Sequence, residues 1–511
     1  MYRAAAPGMS ELTQGGASGR LAPLLFTALA AIVLLRAGVM LASGAGLHVD
    51  EAQYWDWSRH LAWGYWSKPP AIAGLIAAST ALAGDSVLGV RLLCMLAWGL
   101  TSGVLGWLAW DMAGRGAAGQ RAGLWSALLL AGTPAAGILG MAATTDAPLM
   151  LAWAGCMALT WRALSTPAGA SPLPWWLLAG VVLGLGLLSK YTMAALGASW
   201  ALIFLLHWRR HGLGLVLAGG VALAVFSPNL IWNAAHGWPT LGHTAEITVA
   251  AATPASGKLA SVAEFVAGQL VMLGPVGWVV AVLVWRRRRL AAAALPSGAA
   301  VSSLSFAWMF ALPLLLVALA QSINARAFLN WTAPALLGLC LALGLLASSR
   351  LGLRALVVST VVAVAVPAAL SLASLSEQVR QSAQKGSPHM DLWARMRGWE
   401  QVFGALAPAL AQHPGLPVAA SARDLVVQAR YAWRDQPRLV MAWPRSGKPR
   451  NHYEQFEPLW ATGQPQPPAV LVITEGEPDA ELKQAYPHWQ RLEQARGGRL
   501  NLQLWRASLA P

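Results

Sequence analysis

Between residues 21 and 374 the chain alternates long apolar runs with short polar loops, and each run is close to the roughly 17–25 residues that carry a helix across a bilayer. The runs fall at 21–43, 87–110, 122–142, 147–164, 174–188, 191–207, 213–230, 262–285, 302–321, 328–348 and 355–374. They predict about eleven membrane-spanning helices, the fifth and sixth short and divided only by Ser189-Lys190-Tyr191. Beyond residue 375 the pattern becomes mixed and polar. Short apolar runs, Leu439-Val440-Met441 and Val470-Leu471-Val472-Ile473, alternate there with helical stretches from Asp391 to Leu410 and Arg423 to Trp433, predicting a small α/β domain. The expected partition is a flexible cytoplasmic tail over 1–20, a mainly α transmembrane domain over 21–374 and an α/β extracytoplasmic domain over 375–511.

The loops supply a direction. With the N-terminus inside, Arg115, Arg121, Arg162, Arg209, Arg210, the run 286–289, Arg350 and Arg354 all fall in inner loops, as cationic residues flanking spans do. The same assignment places outside the stretch 48–70, Thr144-Thr145-Asp146, Lys190, the loop 232–258 and Asn324-Ala325-Arg326. Composition agrees: 56% of the 511 residues are hydrophobic and 27 are tryptophan, with a mean hydropathy of +0.50, more apolar surface than one soluble core buries. The formal charge of +15 is spread through short loops and forms no solvated arm, so it reads as a topology signal and not as a nucleic-acid surface. Cys94, Cys156 and Cys340 lie far apart in apolar segments and offer no CxxC pair.

The outer stretch HVDEAQYWDWSRHLAWGYWSKPP, residues 48–70, concentrates polar chemistry in a chain that is only 11% charged. Asp50 can start a short helix and Glu51 then falls in its first turn, where a carboxylate suits the helix dipole; capping alone would account for both. A carboxylate kept at the membrane surface is also costly and commonly functional. Tyr54, Trp55, Trp57, Trp63, Tyr65 and Trp66 are rings that favour headgroup depth, predicting a helix on the bilayer surface. Pro69-Pro70 starts another apolar helix, 71–83, too short to span. Asp56 and Arg59, one turn apart, read as a surface pair. His48, His60, His236 and His243 lack HExxH spacing, which leaves the participation of a divalent metal open.

The run DEAQYWDWS, followed by LAWGYWSKPP, resembles the first external loop of glycosyltransferase family 39, a GT-C-type family that includes protein O-mannosyltransferases and bacterial lipid A aminoarabinose transferases. TTDAPLM, GLGLLSKYT, FLNWTAPALLGL and RNHYEQFEPL extend the likeness over most of the chain. The resemblance implies a GT-C fold and an enzyme of the bacterial cytoplasmic membrane. Such an enzyme takes a sugar from a polyprenyl-phosphate donor and attaches it to an extracytoplasmic lipid or glycan such as lipid A. It also implies roles: Asp50, with Glu51 beside it, and Asp146 as catalytic carboxylates; Lys68, Lys190 and Arg326 as cations for the donor phosphate; Tyr54, Tyr65 and Trp66 as aromatic contacts to donor or interface. The absence of a DxD motif agrees with a lipid-phosphate donor. For each cation, snorkelling to the headgroups is the alternative.

Two other functions compete. One keeps the chemistry and changes the acceptor to protein Ser/Thr hydroxyls. The other is a transporter or lipid flippase, against which stand the collection of acids at one surface and the lack of an internal repeat. Cysteines introduced at Ser58 and Ser446 should react from outside in intact spheroplasts; protection of either until the membrane is permeabilised would overturn the side assignment.

Overall fold

The computed structural model describes residues 21–249, 257–287, 301–325, 329–384, 393–435, 438–461 and 463–510. Arg326, one of the three expected phosphate ligands, lies outside the described residues, as do Arg288 and Arg289.

Apolar runs with no partner strand must satisfy their backbone groups internally, and they do so as helices. Six described helices are long and apolar enough to cross a membrane: Ala22–Ser43, Val87–Met112, Tyr191–Ala235, Lys258–Arg286, Ser303–Asn324 and Leu353–Ala373. Shorter apolar helices cover Ala71–Ala83, Leu173–Leu187 and Ala335–Arg350, and Asp146–Leu164 adds a further 19 residues. The protein is thus a mainly α, multi-pass membrane protein carrying a small sheet. Two expected boundaries differ. The run at 122–142 is broken into Ala117–Ala131 and Pro134–Leu139, because Gly132 closes one helix and Thr133 caps the next: the Thr133 Oγ1 accepts from the Ala136 N–H at 3.1 Å, with Pro134 in the first turn. The runs at 191–207 and 213–230 are joined in one long helix, Leu196–Ala235, bent where His207 leaves helical geometry at φ −135°, ψ 26°.

Two compact units emerge. Among the described residues, the first comprises 21–37, 69–72 and 91–368; the expected flexible tail over 1–20 lies outside the described residues. Its helices approach closely through small residues: Gly180 lies against the Ala218 backbone and Gly344 against Ser126, and a Cβ at either position would collide with its neighbour. Among the described residues, the second comprises 38–68, 73–90 and 369–510, so the stretch 48–68 groups with the C-terminal sheet.

In the second unit, the apolar runs seen in the sequence become β1 (Val418–Ala420), β2 (Val440–Ala442) and β3 (Ala469–Glu475), followed by β4 (His488–Gly497) and β5 (Leu500–Ser508). The strand order is β2-β1-β3-β5-β4, with β1 parallel to β2 and β3, and β5 antiparallel to β3 and β4. Val418, Ala419, Ala420, Val470, Leu471, Val472 and Ile473 are buried, as continuous apolar strands covered on both faces require. β4 is an edge strand, and Arg491, Glu493 and Arg496 along it discourage pairing with another chain. Helices Trp399–Ala411 and Arg423–Ala432 pack on the sheet, and Arg423–Ala432 also packs on Val49–Arg59. Ser58 on that last helix is buried, its Oγ donating to the Trp55 carbonyl at 2.5 Å. Leu61, 63% exposed, is therefore the better position for the labelling experiment, while Ser446 is exposed.

Candidate functional site

The DEAQYWDWS run folds as the helix Val49–Arg59, but its cap is His48 and not Asp50. The His48 Nδ1 accepts from the Asp50 N–H at 3.3 Å, and Glu51 Oε2 accepts from the His48 N–H at 2.8 Å, which closes a capping box. Glu51 is only 2% exposed and its carboxylate is engaged in that cap. Asp50, in the first turn, points elsewhere. Its side chain is 47% exposed and its Oδ1 lies 3.0 Å from Nη1 of Arg423, which also donates to Gln53 Oε1 at 2.7 Å. Gln428 Nε2 adds a bond to the Leu47 carbonyl at 2.9 Å, so the cap and the start of the helix are held by one neighbouring helix.

Six residues further on, Asp56 faces the same neighbour and is buried. Its Oδ2 accepts from Arg430 Nη1 at 3.1 Å and from the Tyr453 hydroxyl at 2.7 Å. Arg430 is heavily engaged: Nε and Nη2 donate to the Val440 carbonyl at 2.9 and 2.6 Å, and Nη2 also donates to Glu457 Oε2 at 2.6 Å. The reading of Asp56 and Arg59 as a surface pair is therefore corrected. Arg59 turns to Asp85 at 3.4 Å and to the Ser58 hydroxyl, while Asp56 has partners far along the chain. Burial pushes the Asp56 carboxyl up, against the pull of Arg430 and the Tyr453 hydroxyl. Burial, joined by the adjacent Asp56 charge, raises the Tyr453 phenol well above its ordinary range.

The aromatic residues of the stretch serve this packing. Tyr54 and Tyr65 are 6% and 2% exposed, so neither lies at a lipid surface as a headgroup-depth belt requires. Trp57 stacks on Tyr65 with centroids 4.4 Å apart, and His452 sits edge-on to Trp57 at 5.2 Å. The Trp55 indole N–H donates to Asp85 Oδ1 at 2.8 Å. Trp63, at 56% exposure, remains open, and Trp66 is partly buried. Lys68 is also partly buried, and its carbonyl accepts from the Tyr65 N–H at 3.1 Å, closing the turn that leads into Pro69.

In the first unit, three motifs noted in the sequence meet. Asp146 from TTDAPLM opens the helix Asp146–Leu164 and is 1% exposed. Lys190 from LLSKY places Nζ 2.8 Å from Asp146 Oδ1, and Asn330 from FLNW donates Nδ2 to Asp146 Oδ2 at 3.1 Å. Next to Lys190, the Tyr191 hydroxyl donates to Asn229 Oδ1 at 2.7 Å, and Asn233 Oδ1 accepts from the Thr240 N–H at 3.2 Å. These side chains pair with one another at the ends of apolar helices, where an unpaired charge is expensive. Sequence reasoning passed over Asn330, Arg423, Arg430, Tyr453 and Glu457 as site residues, although FLNW and RNHYEQFEPL had marked three of them as noteworthy. Among the described residues no group of three or more His, Cys, Asp or Glu side chains is placed to hold a metal ion.

Residues 67–232 match the family model for dolichyl-phosphate-mannose-protein mannosyltransferase. The fold is of the GT-C type, and the chain is similar to membrane glycosyltransferases. Among individual relatives, the lipid A galacturonosyltransferase RgtD of Rhizobium johnstonii is 29% identical over 457 residues, which cover 87% of this chain and 90% of RgtD. The crystal structure of apo ArnT from Cupriavidus metallidurans aligns with a TM-score of 0.62 at 16% identity, over 93% of this chain and 97% of ArnT. The same enzyme bound to undecaprenyl phosphate gives 0.61 at 17% identity with the same coverage.

The buried network generates a pH prediction. Burial lowers His452 to about 4, outweighing Glu457, whose Oε1 is 3.8 Å from its Nε2; Arg430 lowers it further. A histidine depressed from about 6.5 takes up its proton in the unfolded chain first, so its contribution to stability falls as the pH drops from about 6.5 towards 4. Asp56, raised, contributes with the opposite sign at acid pH. The comparison of wild type with His452→Gln isolates the histidine. The wild-type unfolding midpoint should fall more steeply between pH 6.5 and 4.5 than that of the variant, and parallel curves would contradict the assignment.

Proposed function

We propose that the protein transfers a sugar from a polyprenyl-phosphate donor to lipid A or a related envelope lipid at the outer face of the bacterial cytoplasmic membrane. The observation that carries this reading is Asp50: a half-exposed carboxylate on a helix whose other acidic residues, Glu51 and Asp56, are buried and engaged in structure. The GT-C fold, the relation to RgtD and the undecaprenyl phosphate bound by ArnT support the same chemistry. The outward orientation rests on the distribution of cationic loops.

The donor lipid tethers the anomeric carbon near the membrane surface, which explains why the base stands at the end of a span. An acceptor hydroxyl oxygen attacks that carbon, the bond to the phosphate oxygen breaks with its electron pair, and Asp50 takes the hydroxyl proton. Where the acceptor is already a phosphate oxyanion, Asp50 orients the sugar and accepts no proton. The leaving polyprenyl phosphate gains charge as the bond breaks and is stabilised by a preorganised cation. We assign that cation to Lys68, which precedes the rigid Pro69-Pro70 pair and follows Tyr65 and Trp66. Lys190 has its Nζ 2.8 Å from Asp146 Oδ1, and we assign that pair to holding the first unit together. Glu51 acts by holding the cap from which Asp50 projects, and Tyr54 and Tyr65 by packing the helix.

Asp50→Asn keeps volume and removes both charge and proton-accepting capacity, so it should fold and lose transfer, whereas Glu51→Gln should chiefly lower stability. Lys68→Met keeps the aliphatic stem; loss of a charge-assisted contact worth about 2 kcal/mol should reduce transfer more than tenfold. Assays with a polyprenyl-phosphate sugar and lipid A in detergent read both variants. Near-normal turnover by Asp50→Asn would reject the catalytic assignment. Transfer to Ser/Thr peptides in place of lipid A would favour the protein-acceptor alternative.

A further inference from the structure

Arg423 and Arg430 lie seven residues apart on one helix and each meets an aspartate of the Val49–Arg59 helix, yet they are used differently. Arg430 spends Nε, Nη1 and Nη2 on Asp56, Glu457 and the Val440 carbonyl and is buried. Arg423 has a side chain 37% exposed and meets the protein through one corner, Nη1, shared between Asp50 and Gln53. Its Nε and Nη2 have no protein partner among the described residues. A guanidinium carries five N–H groups in a fixed fork, and the Nε/Nη2 edge presents two parallel donors at the spacing of carboxylate or phosphate oxygens.

We infer that Arg423 is a substrate-recognition residue whose open Nε/Nη2 edge binds an oxyanion carried by the sugar or by the acceptor, next to Asp50. This rests on the transferase reading and deepens it by specifying an anionic substrate. The other groups near Arg423 leave the edge available. Asp424 turns back to its own helix, Oδ1 accepting from the Leu425 N–H at 3.0 Å, and His48 stands behind Asp50 at 3.9 Å from Oδ2. Asp50 and Arg423 together are neutral, so an approaching anion meets the guanidinium without facing net negative charge. Pairing through Nη1 also keeps Asp50 Oδ1 fixed while Arg423 holds the substrate, which couples recognition to the base. The same chemistry fits two sources, the carboxylate of a uronosyl donor and a phosphate on the acceptor lipid.

The test compares wild-type protein with R423Q and R423K. Polyprenyl-phosphate galacturonate is set against the galactose equivalent as donor, and lipid A with its phosphates against lipid A without them as acceptor, reading kcat/KM for each pair. R423Q should lose about tenfold or more on the anion-bearing substrate beyond any loss on its neutral counterpart, as removal of a charge-assisted pair requires. R423K, with charge but no fork, should lose an intermediate amount. Loss that follows the donor carboxylate identifies the donor as the source, and loss that follows the phosphate identifies the acceptor. Equal losses on charged and neutral substrates would reduce Arg423 to a clamp on Asp50 and overturn the inference, as would no loss. If R423Q fails to fold, R423K decides alone, and full retention of charge selectivity by it counts against the proposal. Should the wild type turn over no polyprenyl-phosphate sugar, the transferase reading falls. The site is then read by binding of galacturonate and of inorganic phosphate to wild-type and R423K proteins, where equal binding overturns it.

Discussion

The buried carboxylate of Asp56 is the constraint on which the second unit depends. An ionised group taken out of water is tolerable only when its oxygens are met by charge and hydrogen bonds, and Asp56 can be met only if Arg430 and Tyr453 arrive together. Arg430 in turn needs Glu457 and the Val440 carbonyl. One polar requirement therefore draws together the Val49–Arg59 helix, the Arg423–Ala432 helix, the end of β2 and the short His452–Phe456 helix. The Trp57, Tyr65 and His452 rings pack around that junction and keep it dry. Asp50 is positioned as a consequence, since a helix pinned at residue 56 and capped at residue 48 leaves the direction of its first turn little freedom.

The transmembrane unit solves the same problem with other residues. Asp146, Lys190 and Asn330 come from three helix ends and neutralise one another where apolar helices meet polar loops. Such a cluster fixes the relative heights of its helices, because sliding any one of them would strand a charge. Both units thus hold acidic residues of recognisable motifs in buried pairs, whereas the Asp50 side chain is 47% exposed.

What could be read in the sequence follows from the range over which each cause acts. Apolar runs announce helices because backbone satisfaction in lipid is local, and their approximate positions and the α/β character of the C-terminal part were legible. The break at Gly132-Thr133-Pro134 and the bend at His207 were not, since a Thr-Pro cap and a kink leave overall hydropathy unchanged. Asp56 was paired with Arg59 because helical neighbours at three residues are the local choice, whereas its partner lies 374 residues away. Burial of Tyr54 and Tyr65 was missed for the same reason: rings that suit headgroups equally suit a packed interior when the covering element is distant in sequence. The cap was misassigned because histidine seldom fills the position that Ser, Thr, Asp and Asn favour. RNHYEQFEPL was singled out by resemblance, and the structure supplies the physical role of its tyrosine as the second donor to Asp56.

Asp56 and Arg430 act as one unit to hold the helix bearing Asp50. A double-mutant cycle with Asp56→Asn and Arg430→Gln, read by thermal unfolding and by hydrogen exchange of residues 49–59, tests it most directly. Each single substitution should destabilise by about 3 kcal/mol and deprotect that helix, with the double variant little worse than either alone. Additive losses, or a helix 49–59 that stays protected in Arg430→Gln, would contradict it.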